Sequence, residues 1–158
     1  MCGVVGIHDS RKVSHYKEII HEMCRTLSHR GPDASGTAIF PESGLGLGHT
    51  RLAIIDLTSA GTQPLADSSG EYTITFNGEI YNYQGLRQQL VNSGVVFQTH
   101  TDTEVILEAY KKWGVRCIEQ LRGMFAFCIF DRKKQTLFLA RDRAGEKPLF
   151  YFHSAIFI

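Results

Sequence analysis

No apolar run in this chain approaches the roughly 18 residues needed to cross a bilayer. No basic stretch followed by an apolar one opens it: Met1-Cys2-Gly3-Val4-Val5-Gly6 carries no positive charge, so no secretory signal is expected. An excess of one charge is also missing, since 17 Lys+Arg stand against 16 Asp+Glu for a formal net charge of +1. That argues against a nucleic-acid or membrane-surface protein driven by bulk electrostatics, and the short Arg132-Lys133-Lys134 cluster is too small for a binding stripe. Cysteine is sparse: Cys2, Cys24, Cys117 and Cys128 form no C-x-x-C pair, and none sits beside a histidine at zinc-ligand spacing. No metal site is expected, and free thiols point to a reducing, cytoplasmic compartment. Two phosphate-binding loops, Ser-Gly-Gly-x-Asp-Ser and G-x-x-x-x-G-K-[ST], are absent, so the chain is not expected to bind ATP. Repeats and low-complexity segments are lacking as well.

What remains is an ordinary soluble composition, 43% hydrophobic and 21% charged over 158 residues. A chain of this size buries on the order of two-thirds of its unfolded surface, enough for one core, and one domain is expected. Residues 3–8 read as a short buried strand. Over 15–28, Tyr16, Ile19, Ile20, Met23 and Leu27 recur at helical steps, with Ser14 as a cap. That helix must stop at Gly31-Pro32. Strand-like runs follow at 35–40, 45–49 and 52–56. Residues 71–76 alternate polar and apolar, the pattern of a half-buried strand, and Asn77-Gly78 is expected to end it sharply. Helices are expected over 83–92 and 102–113, the second opened by the capping-box pattern Thr101-Asp102-Thr103-Glu104. A hairpin joins 124–130 to 135–140. The strand-like, apolar run 149–158 continues to the last residue, where domains usually carry polar tails, so the natural gene is expected to continue beyond it.

Cys2 carries the strongest chemical suggestion. Removal of Met1 would leave a thiol and a free α-amino group on one residue. The thiolate is the reactive form of cysteine. An α-amine, with a reference pKa of about 7.7–8.0, can take the thiol proton and later return it to a leaving group. A cysteine at position 2 is often accidental, whereas the other three thiols suit small core residues. Asn77-Gly78 could supply a side-chain amide and a backbone N–H to a developing oxyanion, although Asn-Gly is by itself a turn signal. Arg51 has the planar fork that grips a carboxylate, or a surface ion pair. Glu79 and Asp102 could bind a substrate ammonium, although an acid in the first turn of a helix also complements its dipole. Singly, each is better explained by structure. Together they are the parts needed to hold an α-amino acid and attack its side-chain amide.

Seven ordered motifs sharpen this. They are Met-Cys-Gly at 1–3, Arg30-Gly31-Pro32-Asp33, Gly48-His49-Thr50-Arg51-Leu52-Ala53-Ile54, Asn77-Gly78-Glu79-Ile80-Tyr81-Asn82, Thr101-Asp102-Thr103-Glu104-Val105-Ile106, Gly123-Met124-Phe125-Ala126-Phe127 and Arg141-Asp142-Arg143-Ala144-Gly145-Glu146-Lys147-Pro148-Leu149. From residue 1 to about 152 the chain resembles the glutaminase domain of glutamine-dependent asparagine synthetases, a class II glutamine amidotransferase domain. The wording of Arg-Gly-Pro-Asp and Asn-Gly-Glu-Ile-Tyr-Asn sets it apart from the glucosamine-6-phosphate synthase and phosphoribosyl amidotransferase types, which share the chemistry.

The resemblance implies an α+β fold, a four-layer αββα sandwich of the N-terminal-nucleophile hydrolase type with two mainly antiparallel sheets stacked between helices. It implies Cys2 as nucleophile, the Asn77 side chain and Gly78 N–H as oxyanion hole, and Arg51 on the α-carboxylate of L-glutamine. Glu79 and Asp102 would hold its α-amino group, and main-chain groups of Leu52 and Ile54 would line the pocket. No cofactor is implied here. ATP and Mg belong to a C-terminal synthetase domain, expected to follow in the full-length protein and to receive ammonia through an internal tunnel. A homodimer is one option for assembly. Other readings stay open: an acceptor such as a sugar acid in surface-polysaccharide synthesis, a non-catalytic docking module of the same fold, or an N-terminal-cysteine hydrolase of another amide.

Overall fold

The computed structural model describes residues 1–11, 15–56 and 58–153. Two antiparallel sheets carry the site. In the first, β1 (Gly3–His8) and β2 (Ala34–Phe40) flank β3 (Leu45–Arg51), with Gly3 opposite Thr50 and Ala34 opposite Arg51. In the second the order is β4 (Leu65–Ala66), β5 (Tyr72–Ile80), β6 (Gly123–Asp131), β7 (Thr136–Arg141). Helix α1 (Tyr16–Thr26) covers the first sheet, while α2 (Tyr83–Asn92) and α3 (Asp102–Trp113) cover the second. The layers therefore run helix, sheet, sheet, helices, the expected αββα sandwich.

Composition explains the layering strand by strand. β3 alternates glycine and leucine. Leu45 and Leu47 point between the sheets against Phe130, and burying each contributes about 1.5–3 kcal/mol. Gly46 and Gly48 face the other way, where a Cβ would press into Ile20 and Cys24 of α1. Their lack of a side chain lets the helix lie directly on the sheet. In β5, Ile74, Phe76 and Ile80 join Leu86 and Leu90 of α2 and Val105, Ile106 and Ala109 of α3 in the main core.

Several expectations change here. The polar face of β5 is not solvated: Thr73 and Thr75 are buried between the sheets, and the Thr75 hydroxyl donates to the Gly48 carbonyl at 3.3 Å. The alternation was legible, but a sandwich buries both faces. Asn77-Gly78 does not end the strand; β5 runs on to Ile80, with Asn77 opposite Ala126 and Gly78 opposite Phe125. Pairing along all of β6 overrides the local turn signal. Gly78 is required for a different reason, since a Cβ there would collide with the Met124 carbonyl and Phe125 Cα. Residues 52–56 form no strand: the chain leaves β3 at Arg51 and turns, held where the Asp33 carboxylate accepts the Ala53 N–H at 2.8 Å. The capping box is half made. Thr101 Oγ1 accepts the Glu104 N–H at 3.2 Å, but the Glu104 carboxylate takes the N–H groups of Gln98 and Thr99 instead of that of Thr101. Residues 149–153 are not a strand, and Phe150, Tyr151 and Phe152 stand exposed. Ser14 and residues 154–158 lie outside the described residues.

Candidate active site

The N-terminus is fixed before any chemistry is considered. β1 pairs with β3, the Gly3 N–H donates to Thr50 Oγ1 at 3.1 Å, and that hydroxyl donates to the Leu27 carbonyl at 3.1 Å. Arg30 Nε donates to the Cys2 carbonyl at 3.2 Å. The Cys2 side chain then rests against the turn after β3, where the Leu52 N–H donates to Sγ at 3.4 Å and the Leu52 carbonyl lies 3.7 Å away. In this structure Met1 is present, so the Cys2 nitrogen is a peptide nitrogen.

All eight residues singled out from the sequence (Cys2, Arg51, Leu52, Ile54, Asn77, Gly78, Glu79 and Asp102) line one cleft between the two sheets. Each gets there by a simple route. Asn77 and Glu79 are two apart on β5 and share the face toward the first sheet. Arg51 ends β3, and its guanidinium is held by the carbonyls of Asp56 and Thr58. The Arg30-Gly31-Pro32-Asp33 motif braces the same turn, since the Asp33 N–H donates to the Arg51 carbonyl at 3.0 Å.

The edge of β5 beyond its short pairing with β4 is the most informative part. Both main-chain groups of Phe125 turn toward β7 and its end: its N–H reaches Asp142 Oδ2 at 3.1 Å and its carbonyl accepts the Asp142 N–H at 2.8 Å. Gly78, opposite Phe125, therefore points its own N–H away from β6, on the edge shared by Phe76 and Ile80. Along that edge the Phe76 N–H donates to Gln63 Oε1 at 2.6 Å and the Ile80 N–H to Asp102 Oδ2 at 3.0 Å. The Phe76 carbonyl accepts from His49 Nε2 at 3.1 Å. A carbonyl can only accept, so Nε2 carries the proton. Buried side chains thus clamp the strand on either side of Gly78, whose N–H faces the cleft beside Asn77.

Electrostatics follow from burial. His49 is held down to about 4, first because burial disfavours its cation and also because Arg51 repels it, against the pull of the Phe76 carbonyl. It is neutral at ordinary pH. Asp102 is pushed up to about 6 by burial and by the nearby Glu79, against hydrogen bonds from Ile80, Thr103 and its own N–H. Burial also raises Cys24, and it lifts Cys117 and Cys128 to about 12, which suits the core roles expected of them. Among the described residues no group of three or more His, Cys, Asp and Glu could hold a metal ion, and no helix is long and apolar enough to cross a membrane.

Sequence reasoning missed several lining residues: Gln63, Phe76, Thr103, Met124 and Lys147. Gln63 bridges the layers, with Nε2 donating to Thr103 Oγ1 at 3.1 Å. Nothing local marks it. Lys147 does carry a signal, because it sits in the 141–149 motif whose aspartate organises a turn: Asp142 accepts the N–H groups of Glu146 at 2.9 Å and Lys147 at 3.0 Å.

Residues 1–157 match the family described as the glutamine amidotransferase domain. A putative glutamine-hydrolysing asparagine synthetase 2 of Methanocaldococcus jannaschii is 42% identical over 168 residues, covering 96% of this chain and 32% of that protein. The glutamine-hydrolysing asparagine synthetase 3 of Bacillus subtilis is 43% identical over 154 residues, covering 96% of this chain and 25% of that protein. The chain thus spans about a third or less of the length of these relatives. Among solved structures, the allosteric regulatory enzyme of purine biosynthesis aligns with a TM-score of 0.75 at 24% identity, covering 92% of this chain and 38% of that one. That likeness bears on the fold alone.

Proposed function

Because the chain belongs to the glutamine amidotransferase domain family, we propose that it hydrolyses L-glutamine to glutamate and ammonia through a γ-glutamyl thioester on Cys2. The observation that carries this reading is the convergence of Cys2, Arg51, Asn77, Gly78, Glu79 and Asp102 on one cleft. Met1 must first be removed, which frees the Cys2 amine. That amine takes the thiol proton, and the sulfur attacks the side-chain carbonyl of glutamine. The oxyanion of the tetrahedral adduct is met by the Asn77 amide and the Gly78 N–H, a pair of donors worth several kcal/mol in such sites, about 3–4 for one donor alone. The amine returns its proton to the leaving nitrogen, ammonia departs, and the thioester remains. Water, deprotonated by the same amine, attacks the thioester; glutamate leaves and the thiol is restored. Arg51 grips the α-carboxylate, Glu79 and Asp102 the α-ammonium, and the main chain of Leu52 and Ile54 borders the substrate. Every group is supplied by the polypeptide, so the hydrolysis calls for no cofactor.

The ammonia would serve ATP-dependent synthesis of asparagine from aspartate, by analogy with the relatives whose names state that activity. The ATP-dependent step would belong to a synthetase portion outside this chain, with which it would form one protein. A soluble cytoplasmic enzyme fits this role, and a homodimer would be compatible with it. The test is ammonia release from glutamine by protein beginning at Cys2: Cys2→Ala should abolish it and leave the circular dichroism spectrum unchanged. Undiminished release in that variant would exclude the mechanism.

A further inference from the structure

We propose that Lys147 is a positioning residue for this reaction, whose buried ammonium keeps the Cys2 α-amine in the unprotonated form that can accept the thiol proton. The inference rests on the Cys2 reading above.

Lys147 is only 5% exposed and lines the cleft together with Cys2 and Asn77. Among the described residues it forms no ion pair. Its ammonium instead donates to Met1 Sδ at 3.1 Å. A buried, unpaired cation is costly, yet the fold works to place it there. The Asp142 carboxylate gathers the N–H groups of Phe125, Glu146 and Lys147, and Gly145 completes the turn with φ of 71°. Glu146, one residue earlier, stays exposed while Lys147 is turned inward.

The sulfur that Lys147 touches belongs to the residue bonded to the Cys2 nitrogen. The ammonium therefore lies within one methionine side chain of the atom that becomes the base. When Met1 is removed, that contact disappears and the amine appears. An ordinary α-amine, at about 7.7–8.0, is mostly protonated at neutral pH and useless as a base. A neighbouring cation disfavours a second positive charge.

Other charged groups surround this position. Arg30, from the segment after α1, adds the same sign but is bonded to the Cys2 carbonyl. Arg51 of β3 is turned to the Asp56 and Thr58 carbonyls, and His49 beneath it is neutral. Asp33 is bonded to the Ala53 N–H. Asp56, Glu79 of β5 and Asp102 of α3 line the cleft with the opposite sign. Bound glutamine would offset Glu79 and Asp102 with its own ammonium, leaving Arg30 and Lys147 as the cations beside the amine, of which Lys147 is the buried one.

The experiment compares wild type, Lys147→Met and Lys147→Arg, each confirmed by intact mass to begin at Cys2 and labelled with ¹⁵N-cysteine. The Cys2 amine is titrated by NMR, and kcat/KM for glutamine is followed over the same pH range. In Lys147→Met the amine pKa should rise by about one unit and the acid limb of kcat/KM should move up with it, while Lys147→Arg keeps both near wild type. If Lys147→Met does not fold, Lys147→Gln is titrated in its place. An amine that titrates in the uncharged variant as in wild type overturns the inference, whatever the activity. A merely structural lysine would lower stability or rate at every pH without moving the titration. Wild-type protein inert toward glutamine would instead sink the glutaminase reading, and the amine titration would still judge Lys147.

Discussion

His49 and the Phe76 carbonyl join the two sheets one residue before Asn77: Nε2 of the ring donates across 3.1 Å from β3 to β5. The bond by itself favours the cation, but burial outweighs it, and the His49 cation is disfavoured down to about 4. In the unfolded chain the same group titrates near its ordinary 6.5. The unfolded state therefore binds more protons between those values. His49 stabilises the fold fully above pH 6.5 and loses that contribution as pH falls toward 4, by up to about 3 kcal/mol. Urea denaturation across this window should show the loss, and His49→Gln should flatten it. A variant with the wild-type slope would contradict the assignment.

Removing the ring altogether should be worse at neutral pH. His49→Ala leaves the Phe76 carbonyl buried without its donor, a cost of about 1–3 kcal/mol, and frees the strand that carries Asn77. Stability should drop by that amount. The glutaminase kcat should fall more than KM changes, because the proposed oxyanion donors Asn77 and Gly78 move while the Arg51 side of the cleft stays. Steady-state kinetics with glutamine decide it.

Asp102 sets a second pH dependence. Burial holds its carboxyl up at about 6, so it gains a proton as pH drops through that value and loses the charge proposed to attract the glutamine ammonium. KM for glutamine should rise below pH 6. Asp102→Asn keeps an oxygen for the Ile80 N–H but carries no charge, so its KM should be high at every pH and insensitive to this titration. KM measured from about pH 5 to about pH 8 checks both statements.

Much of the site was legible because its residues sit in short contiguous motifs. Asn77, Gly78 and Glu79 are neighbours in the chain, and strand geometry alone puts the first and third on one face. The clamp around them was not legible. His49 reaches Phe76 across 27 positions, Gln63 reaches Thr103 across 40, and no local pattern announces either pair. Asn77-Gly78 does not end the strand for the complementary reason: a strong local turn signal loses to pairing with β6 along its length. The layered fold came through better, since the alternation in β5, the helical spacing of α1 and the capping pattern that opens α3 are local properties. What alternation could not tell is that the threonine face of β5 meets another sheet instead of water.

Gly78 offers a stability test that separates shape from chemistry. Gly78→Ala would drive a methyl into the Met124 carbonyl and Phe125 Cα, both backbone of the partner strand and unable to step aside. The loss should be about 1–3 kcal/mol, accompanied by a fall in kcat as the Gly78 N–H is displaced. Thermal unfolding that matches wild type would mean that the strands are less tightly fitted than described.

The most direct measurement is acid quench of protein beginning at Cys2 during turnover of glutamine, followed by peptide-resolved mass spectrometry. The expected result is a mass gain equal to glutamine less ammonia on the N-terminal cysteine, lost on treatment with hydroxylamine and absent from Cys2→Ala. Ammonia released at full rate with Cys2 never modified, or with the adduct on Cys24, Cys117 or Cys128, would contradict the assignment.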